Sequence, residues 1–502
     1  MNLIAETETI ERQAPASLKP AAREGLWESL PALAALMAIL IQAIRPATDP
    51  DLWWHLATGR YIVTQHRIPA VDIFSFTAQG HHWVTHEWLT EVLLYGAYRL
   101  AGFPGLILLF ALLITAAFAL VYRRCQTRPL LAALSVLLAA LASSLTWNVR
   151  PQMLTLLFAS LYLYILDGYA AGGRRAWLWA LPPLTLLWAN LHSGFTAGLA
   201  LIAAYAVGQE LSWLGRRAGQ GPWLAPQAVR LALTGALCAL CALVTPNGLA
   251  GALFAFGTLS NGLIQANIQE WFSPNFHQPM AWPLLAFLLA LLATLGLSRR
   301  RLSATEALLL AGTGAAALYS ARHAPFLALA GAPLLARQAE DLFAGPARRR
   351  PLSPLMRRGL IVVLVGLVAL LDVRLFRTVA GNTQAQEETY PVAAVAYLRA
   401  HNLGGRTFND YGWGGYLIWQ GFPVFVDGRA ELYGDKILSE YLQTAHVQAD
   451  WEAPLQRYHV DTVLIETGSP LAVVLAESGR WRAVYRDKLA TVFVPVGAGP
   501  AA

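Results

Sequence analysis

Between Leu30 and Val373 the chain is written in apolar runs separated by short polar connectors. The runs lie near 27–45, 105–122, 129–147, 152–168, 176–190, 196–214, 228–245, 281–297, 303–320, 323–336 and 358–376. Runs of this length and polarity predict about eleven membrane-spanning helices, a polytopic α-helical transmembrane domain over 27–378. One long connector, about 46–104, interrupts the series. It carries two helical segments, Asp51 to about Thr64 and "HEWLTEVLLYGAYRLAG" from His86, joined by "RIPAVDIFSFTAQGHHW". Both segments read as amphipathic surface helices lying along the membrane.

After Val379 the pattern changes. Helices near 391–402, at "WGGYLIWQ" and near 436–447, 451–458 and 470–478 are interspersed with strands "RTFND", "PVFVD", "TVLIE", "RAVYRD" and "LATVFVP". This alternation predicts a small α/β domain over 386–497 with a largely parallel sheet.

Composition confirms the membrane class. Hydrophobic residues make up 56% and charged residues 13%, against roughly 25% charged in soluble domains. The net charge of +7 does not point to nucleic acid, because the arginines cluster at the ends of apolar runs. One set of connectors holds Arg123, Arg124 and Arg128; Arg174 and Arg175; Arg216 and Arg217; Arg299, Arg300 and Arg301; and Arg348, Arg349, Arg350, Arg357 and Arg358. The other set holds scattered cations such as Arg60, Arg67, Arg150 and Arg322. The positive-inside rule puts the first set in the cytoplasm. The tail 1–26 is then inside and the α/β domain outside. That tail, with Glu6, Glu8 and Glu11, lacks the basic start and cleavage site of a signal peptide, so the first run is read as a retained span. Three cysteines give no disulfide framework, and Cys238 and Cys241 read as packing residues inside an apolar run.

This topology gathers the polar motifs on the outer side: "DPDLWWH", "HHWVTHEW", "WNVRPQ", "ANLHSGF", "VTPNG", "NIQEWFSPNFH" and "ARHAPF". Asp49 and Pro50 read as a helix start, N-cap and N1, with Asp51 in the first turn. Trp54, His55 and Thr58 return to the Asp51 face, so Asp51 and His55 could share a proton or a metal. Trp53, Trp54, Trp83 and Trp88 are expected chiefly to anchor the membrane interface, with sugar stacking the minor role. Glu87 lies among His81, His82 and His86. It reads as a cap or, with Asp49 and Asp51, as a possible ligand of a divalent cation, Mg or Mn. Arg150 and Arg322 sit at outer helix ends and need anionic partners, either a carboxylate or a lipid phosphate. His192, His323 and Glu270 lie at the same level. The α/β domain adds Gly412, Gly414 and Gly415, which allow close backbone approach. It also adds Asp410, Asp427 and Arg429, read as a structural turn with an Asp–Arg pair or as an acceptor-docking edge.

The D-x-D exit from the first span, the long first loop, the many spans and the outer α/β domain resemble the GT-C membrane glycosyltransferases. More closely, "DLWWHLATGRYI", "IPAVDIFSFT", "HEWL", "RPQ", "NLHSGF", "TPNG" and "NDYGWGGYLIW…PVFVDGRAELYGD" look like an uncharacterised group of bacterial glycosyltransferase-like membrane proteins. The resemblance implies a polyprenyl-phosphate-linked sugar donor, inversion at the anomeric carbon, and a glycan, lipid or protein acceptor on the outer face. It makes Asp51 the catalytic carboxylate, with Asp49 the alternative and Glu87 a further candidate. Trp54, His55, His86, Arg150, His192, Glu270, Arg322 and His323 would bind substrate, with Arg150 or Arg322 taking the phosphate. "WWHL" departs from the mannosyltransferase continuation, so the donor sugar is not implied. As a first-turn carboxylate, Asp51 is expected to have a low pKa. A flippase of lipid-linked glycans would want midplane charges and internal repeats; the spans are largely uncharged at their middles. A non-catalytic envelope scaffold is the remaining alternative.

Overall fold

The computed structural model describes residues 26–173, 175–215, 222–343 and 352–497. The tail through residue 25 and Arg174, Arg216, Arg217, Arg348, Arg349 and Arg350 lie outside the described residues.

Among the described residues, fourteen α-helices precede the α/β domain: α1 (Leu30–Ala43), α2 (Pro50–Gln65), α3 (Trp88–Cys125), α4 (Pro129–Ser143), α5 (Gln152–Ala170), α6 (Leu181–Leu191), α7 (Phe195–Leu214), α8 (Pro226–Cys241), α9 (Gly248–Ser260), α10 (Gly262–Asn267), α11 (Trp282–Leu297), α12 (Ala304–Tyr319), α13 (Ala324–Phe343) and α14 (Pro354–Ala380). Every apolar run of the sequence is helical. Among the described residues, six helical stretches are long and apolar enough to cross a membrane: Trp88–Cys125, Pro129–Thr146, Gln152–Ala170, Phe195–Leu214, Pro279–Leu297 and Pro354–Ala380. α1 and α8 are apolar but shorter.

α13 is the hub of the bundle. Its Ala, Gly and Leu positions are buried almost without break from Ala324 to Ala336, because small residues let helices approach closely where no hydrophobic drive separates lipid from protein. α14 is the opposite case: it packs on α1 and exposes Val362, Val365 and Phe376. One end of the bundle carries Arg124, Arg128 and Arg299 of the arginine connectors. There Arg128 N–H donates to Glu340, Arg299 N–H to Asp341, and Arg337 pairs with Glu306. Arg124 is an exception to the solvated role expected of that set. It is buried and pairs with Asp167 at 2.8 Å and the Leu329 carbonyl at 2.6 Å.

Two expectations for the first loop change. The second surface segment is not separate from the following span. α3 runs through both and bends at Gly102, whose φ of 60° suits a residue without Cβ, two residues before Pro104. α2 is not half-exposed at a membrane surface: Leu52 through Gly59 are buried. α3 covers one side of it and the α/β domain another.

That domain contains α15 (Asn382–Thr389), α16 (Val392–Ala400), α17 (Gly414–Trp419), α18 (Ala430–Ala445), α19 (Ala453–Arg457) and α20 (Pro470–Glu477). They surround a sheet of order β1-β2-β4-β3, made of β1 (Thr407–Asn409), β2 (Thr462–Glu466), β3 (Trp481–Arg486) and β4 (Ala490–Pro495). Among the paired strands of the described residues only β1–β2 is parallel, with Thr407 opposite Thr462. β2–β4 and β3–β4 are antiparallel, which corrects the largely parallel sheet. The reason is local: Asp487 accepts from the Leu489 and Ala490 amides and closes a tight β3–β4 hairpin, a connection only antiparallel strands allow. "PVFVD" forms no regular strand. Val424 bridges Thr407 on one side and Ser75 on the other. The first loop thus extends the sheet edge, with Phe76 N–H donating to the Val424 carbonyl and Val424 N–H to that of Phe74.

Loop and domain share a core. Trp53, Trp54 and Trp83 are buried in it with Tyr390, Trp413 and Tyr416. These tryptophans are therefore interior packing residues rather than membrane anchors. Gly415 makes the closure possible, since a Cβ there would collide with the Pro50 carbonyl and meet Trp54.

Candidate functional site

The helix start forms as its sequence dictates. Asp49 is the N-cap of α2 and accepts the Asp51 N–H at 3.0 Å, with Pro50 in the first turn. Asp49 is buried. Asp51 then points to a second set of partners. Its Oδ1 accepts from Trp54 Nε1 at 3.1 Å, and its Oδ2 meets Arg150 Nη2 at 2.5 Å. The expected Asp51–His55 pairing does not form; His55 turns to Glu87 and Glu91, at 3.5 Å from each.

Arg150 stands in the turn before α5 and is ringed by carboxylates. Its Nε lies 3.4 Å from Asp49 Oδ2, its Nη2 on Asp51 and its Nη1 on Glu270 Oε1. Glu270 continues the chain to Arg322 at 3.3 Å, and Arg322 lies over the Trp271 ring at 5.1 Å. Burial, opposed by Arg150 and reinforced by Asp49 and Glu270, pushes the Asp51 carboxyl up to about 7. This corrects the low pKa expected of a first-turn carboxylate: loss of solvent and two neighbouring carboxylates outweigh the helix dipole. Glu270 moves the other way, because Arg150 and Arg322 overcome its burial.

Glu87 stands at the N-cap position of α3, but its side chain makes no cap bond and is instead the centre of a histidine cluster. His192 Nε2 lies 3.3 Å away, His55 Nε2 3.5 Å and His86 Nε2 3.6 Å. The tautomers follow from the backbone. Gly194 N–H donates to His192 Nδ1 at 2.8 Å, so the His192 proton sits on Nε2, toward Glu87. His86 Nδ1 lies against the Val84 carbonyl at 3.3 Å, so its Nδ1 carries a proton, and a second proton on Nε2 is what Glu87 favours. Burial would lower His86, but the Glu87 carboxylate holds it above its ordinary range. Burial drops His55 and His192 to about 3. The ring of imidazoles, His86 first, holds Glu87 far below the usual carboxylate range despite its burial.

Both networks open on one cavity of about 1430 Å³. Asp51, Trp54, His55, His86, Glu87, Arg150, His192, Glu270, Arg322 and His323 all line it, whereas Asp49 lies behind the wall and Asp410 and Asp427 do not reach it. His323 packs beside Trp271 and Phe326. The remaining wall includes Phe254, stacked on His86, and a strip from the α/β domain: Gly428, Arg429, Glu431 and Leu432.

That strip is what sequence reasoning left open. Arg429 is buried in a fork to Asp427 and reaches Asp72 of the first loop at 2.8 Å, with Tyr433 on the same Asp427. It also lies over Trp83 at 4.5 Å. The Asp–Arg pair is thus a structural clamp on the first loop, and the adjoining Gly428 presses on Asp51. The "VDGR" motif was the available signal; its long-range partner Asp72 had none.

Asp49, Asp51 and Glu87 do not fit a shared divalent ion. Arg150 already occupies the space between Asp49 and Asp51. Glu87 belongs to the separate histidine cluster. His192 cannot ligate with the nitrogen that faces Glu87 while its Nδ1 accepts the Gly194 amide.

The helical bundle, long first loop and α/β domain together form a known fold. The chain has the GT-C fold of membrane glycosyltransferases. Two solved structures carry the likeness. ArnT from Cupriavidus metallidurans, bound to undecaprenyl phosphate, superposes with a TM-score of 0.50 at 16% identity, over 95% of this chain and 100% of that one. The archaeal oligosaccharyltransferase AglB from Archaeoglobus fulgidus, in complex with an inhibitory peptide and a dolichol-phosphate, gives 0.51 at 9% identity, over 88% and 69%. No protein-family model and no curated protein matches the sequence.

Proposed function

We propose that the protein is an integral membrane glycosyltransferase. It would take a sugar from a polyprenyl-phosphate carrier and pass it to a glycan, lipid or protein acceptor at the outer face of a bacterial cytoplasmic membrane. The observation that carries this reading is the position of Asp51. On a GT-C fold, a carboxylate with a pKa of about 7 opens onto the same cavity as Arg322. A general base works best with a pKa near the operating pH. The polyprenyl phosphates bound by ArnT and AglB support a carrier of that chemistry.

In this reading an acceptor hydroxyl oxygen attacks the anomeric carbon from the face opposite the phosphate. Asp51 accepts the hydroxyl proton, the carbon–phosphate-oxygen bond breaks, and the polyprenyl phosphate leaves with the electron pair. Inversion follows from the single displacement. Arg322 takes the phosphate role. It is 29% exposed and held by Glu270, whereas the guanidinium of Arg150 is surrounded by carboxylates. His192 and Glu87 offer fixed donors and acceptors for sugar hydroxyls. The arginine-rich connectors at the far end of the bundle support the orientation.

The test is transfer of labelled sugar from a polyprenyl-phosphate donor by purified protein in lipid. Release of sugar to an acceptor, lost in Asp51→Asn, upholds the reading. Movement of the intact carrier between leaflets without release would make it a flippase, and neither activity would leave a scaffold.

A further inference from the structure

We propose that Arg150 is the resident cation of this site, standing where a divalent metal would otherwise join the two aspartates. Its catalytic meaning rests on the transferase reading above; its test does not. A metal at the D-x-D pair needs carboxylate oxygens close to one point, about 2.0–2.1 Å away for Mg. Here the oxygens converge on three nitrogens of one planar group. Asp49 Oδ2 faces Nε, Asp51 Oδ2 meets Nη2, and Glu270 Oε1 meets Nη1.

Two further observations favour the guanidinium over an ion. Asp49 Oδ2 is buried with no hydrogen bond, as is Arg150 Nε, and the two atoms face each other at 3.4 Å. Asp49 does not reach the cavity wall, so an ion entering from the cavity would meet Arg150 before it met Asp49. The charge is also permanent, because a guanidinium does not deprotonate in a protein. An added divalent ion would sit in contact with that charge or would have to displace a buried side chain. The consequence is a transferase whose electrostatics at the acceptor carboxylate are built into the chain and do not depend on metal supply.

The experiment is Mn²⁺ binding to the purified full chain in detergent, read by electron paramagnetic resonance and thermal unfolding. Wild type is expected to bind no Mn²⁺ at this site and to melt identically with EDTA. Arg150→Ala exposes three carboxylates to one another. It is expected to gain Mn²⁺ affinity by about tenfold or more, equivalent to about 1.4 kcal/mol, and to melt higher with Mn²⁺. Adding Asp49→Asn should abolish that gain. Arg150→Lys, which keeps the charge, should not show it. If Arg150→Ala folds and binds no better than wild type, the proposal fails. If it does not fold, the wild type decides: bound Mn²⁺ that disappears in Asp51→Asn overturns the proposal, and its absence upholds it. A protein that transfers no sugar would still give these answers, so the two readings fail separately.

Discussion

Gly428 of the α/β domain lies against Oδ1 of Asp51 so closely that a Cβ on the glycine would overlap the carboxylate oxygen. The domain therefore sets the position of the proposed base. Gly428→Ala should displace the Asp51 carboxyl from Trp54 and Arg150. Transfer is expected to fall by about 100-fold, the scale of misplacing a catalytic group, while the helical bundle keeps its secondary structure. Turnover measured beside circular dichroism checks this. Full activity in the variant would show that the strip of the domain can yield.

Asp51 makes a prediction in pH. With a folded pKa of about 7, the base form fills as pH rises through neutrality. kcat/KM should increase to a plateau above about pH 7. Asp51→Asn should lose about two to four orders of magnitude and the pH limb with it. The stability sign is opposite. The folded carboxyl holds its proton between its ordinary 3.8 and about 7 while the unfolded chain releases it, so this group makes stability fall across that window as pH rises. Asp51→Asn should remove that slope in unfolding experiments.

Arg322→Ala tests the phosphate contact. A hydrogen bond to a charged group is worth about 1.5–3 kcal/mol, so KM for the lipid donor should rise by about 10- to 100-fold. The cost in stability should stay below about 1 kcal/mol, because the Glu270 pair is part-exposed. Arg322→Lys should recover part of the affinity. An unchanged donor KM in the alanine variant would move the phosphate elsewhere in the cavity.

How much of this was legible in the sequence differs by element. The helices were, because each apolar run is long enough to set its own structure. The N-cap at Asp49 and the glycine approach at Gly415 were local and also readable. The shared cavity followed from topology, which put Asp51, Glu87, Arg150, His192, Glu270 and Arg322 on one side before any contact was known. What was not legible is pairwise. Nothing in "RPQ" says that Arg150 would be claimed by Asp49, Asp51 and Glu270. Nothing in "WWHL" says that His55 would turn from Asp51 to Glu87 and Glu91. Those choices depend on how segments that are not neighbours in sequence come together. The buried tryptophans misled for the same reason: an interface residue and a core residue look alike until the covering domain is placed.

The Arg429 clamp gives the fourth prediction. Asp72 and Asp427 are fully buried and share this one arginine. Arg429→Met leaves both carboxylates without it, at a cost of about 3–5 kcal/mol. The first loop should then become sensitive to protease between about residues 67 and 86, and thermal unfolding should begin earlier. Equal protease resistance in variant and wild type would mean that the sheet-edge pairing at Val424 holds the loop without the clamp.

Asp72 and Arg429 stand 357 positions apart. At a synthesis rate of about 5–20 residues per second, the first loop waits on the order of 20–70 seconds for the segment that pins it. During that interval every later helix of the bundle is made, while Trp53, Trp54 and Trp83 still lack Tyr390, Trp413 and Tyr416, which share their core. The pocket is thus a late product of assembly. A chain truncated before Val424 would carry the proposed base and most of its neighbours, yet could not hold them in working order.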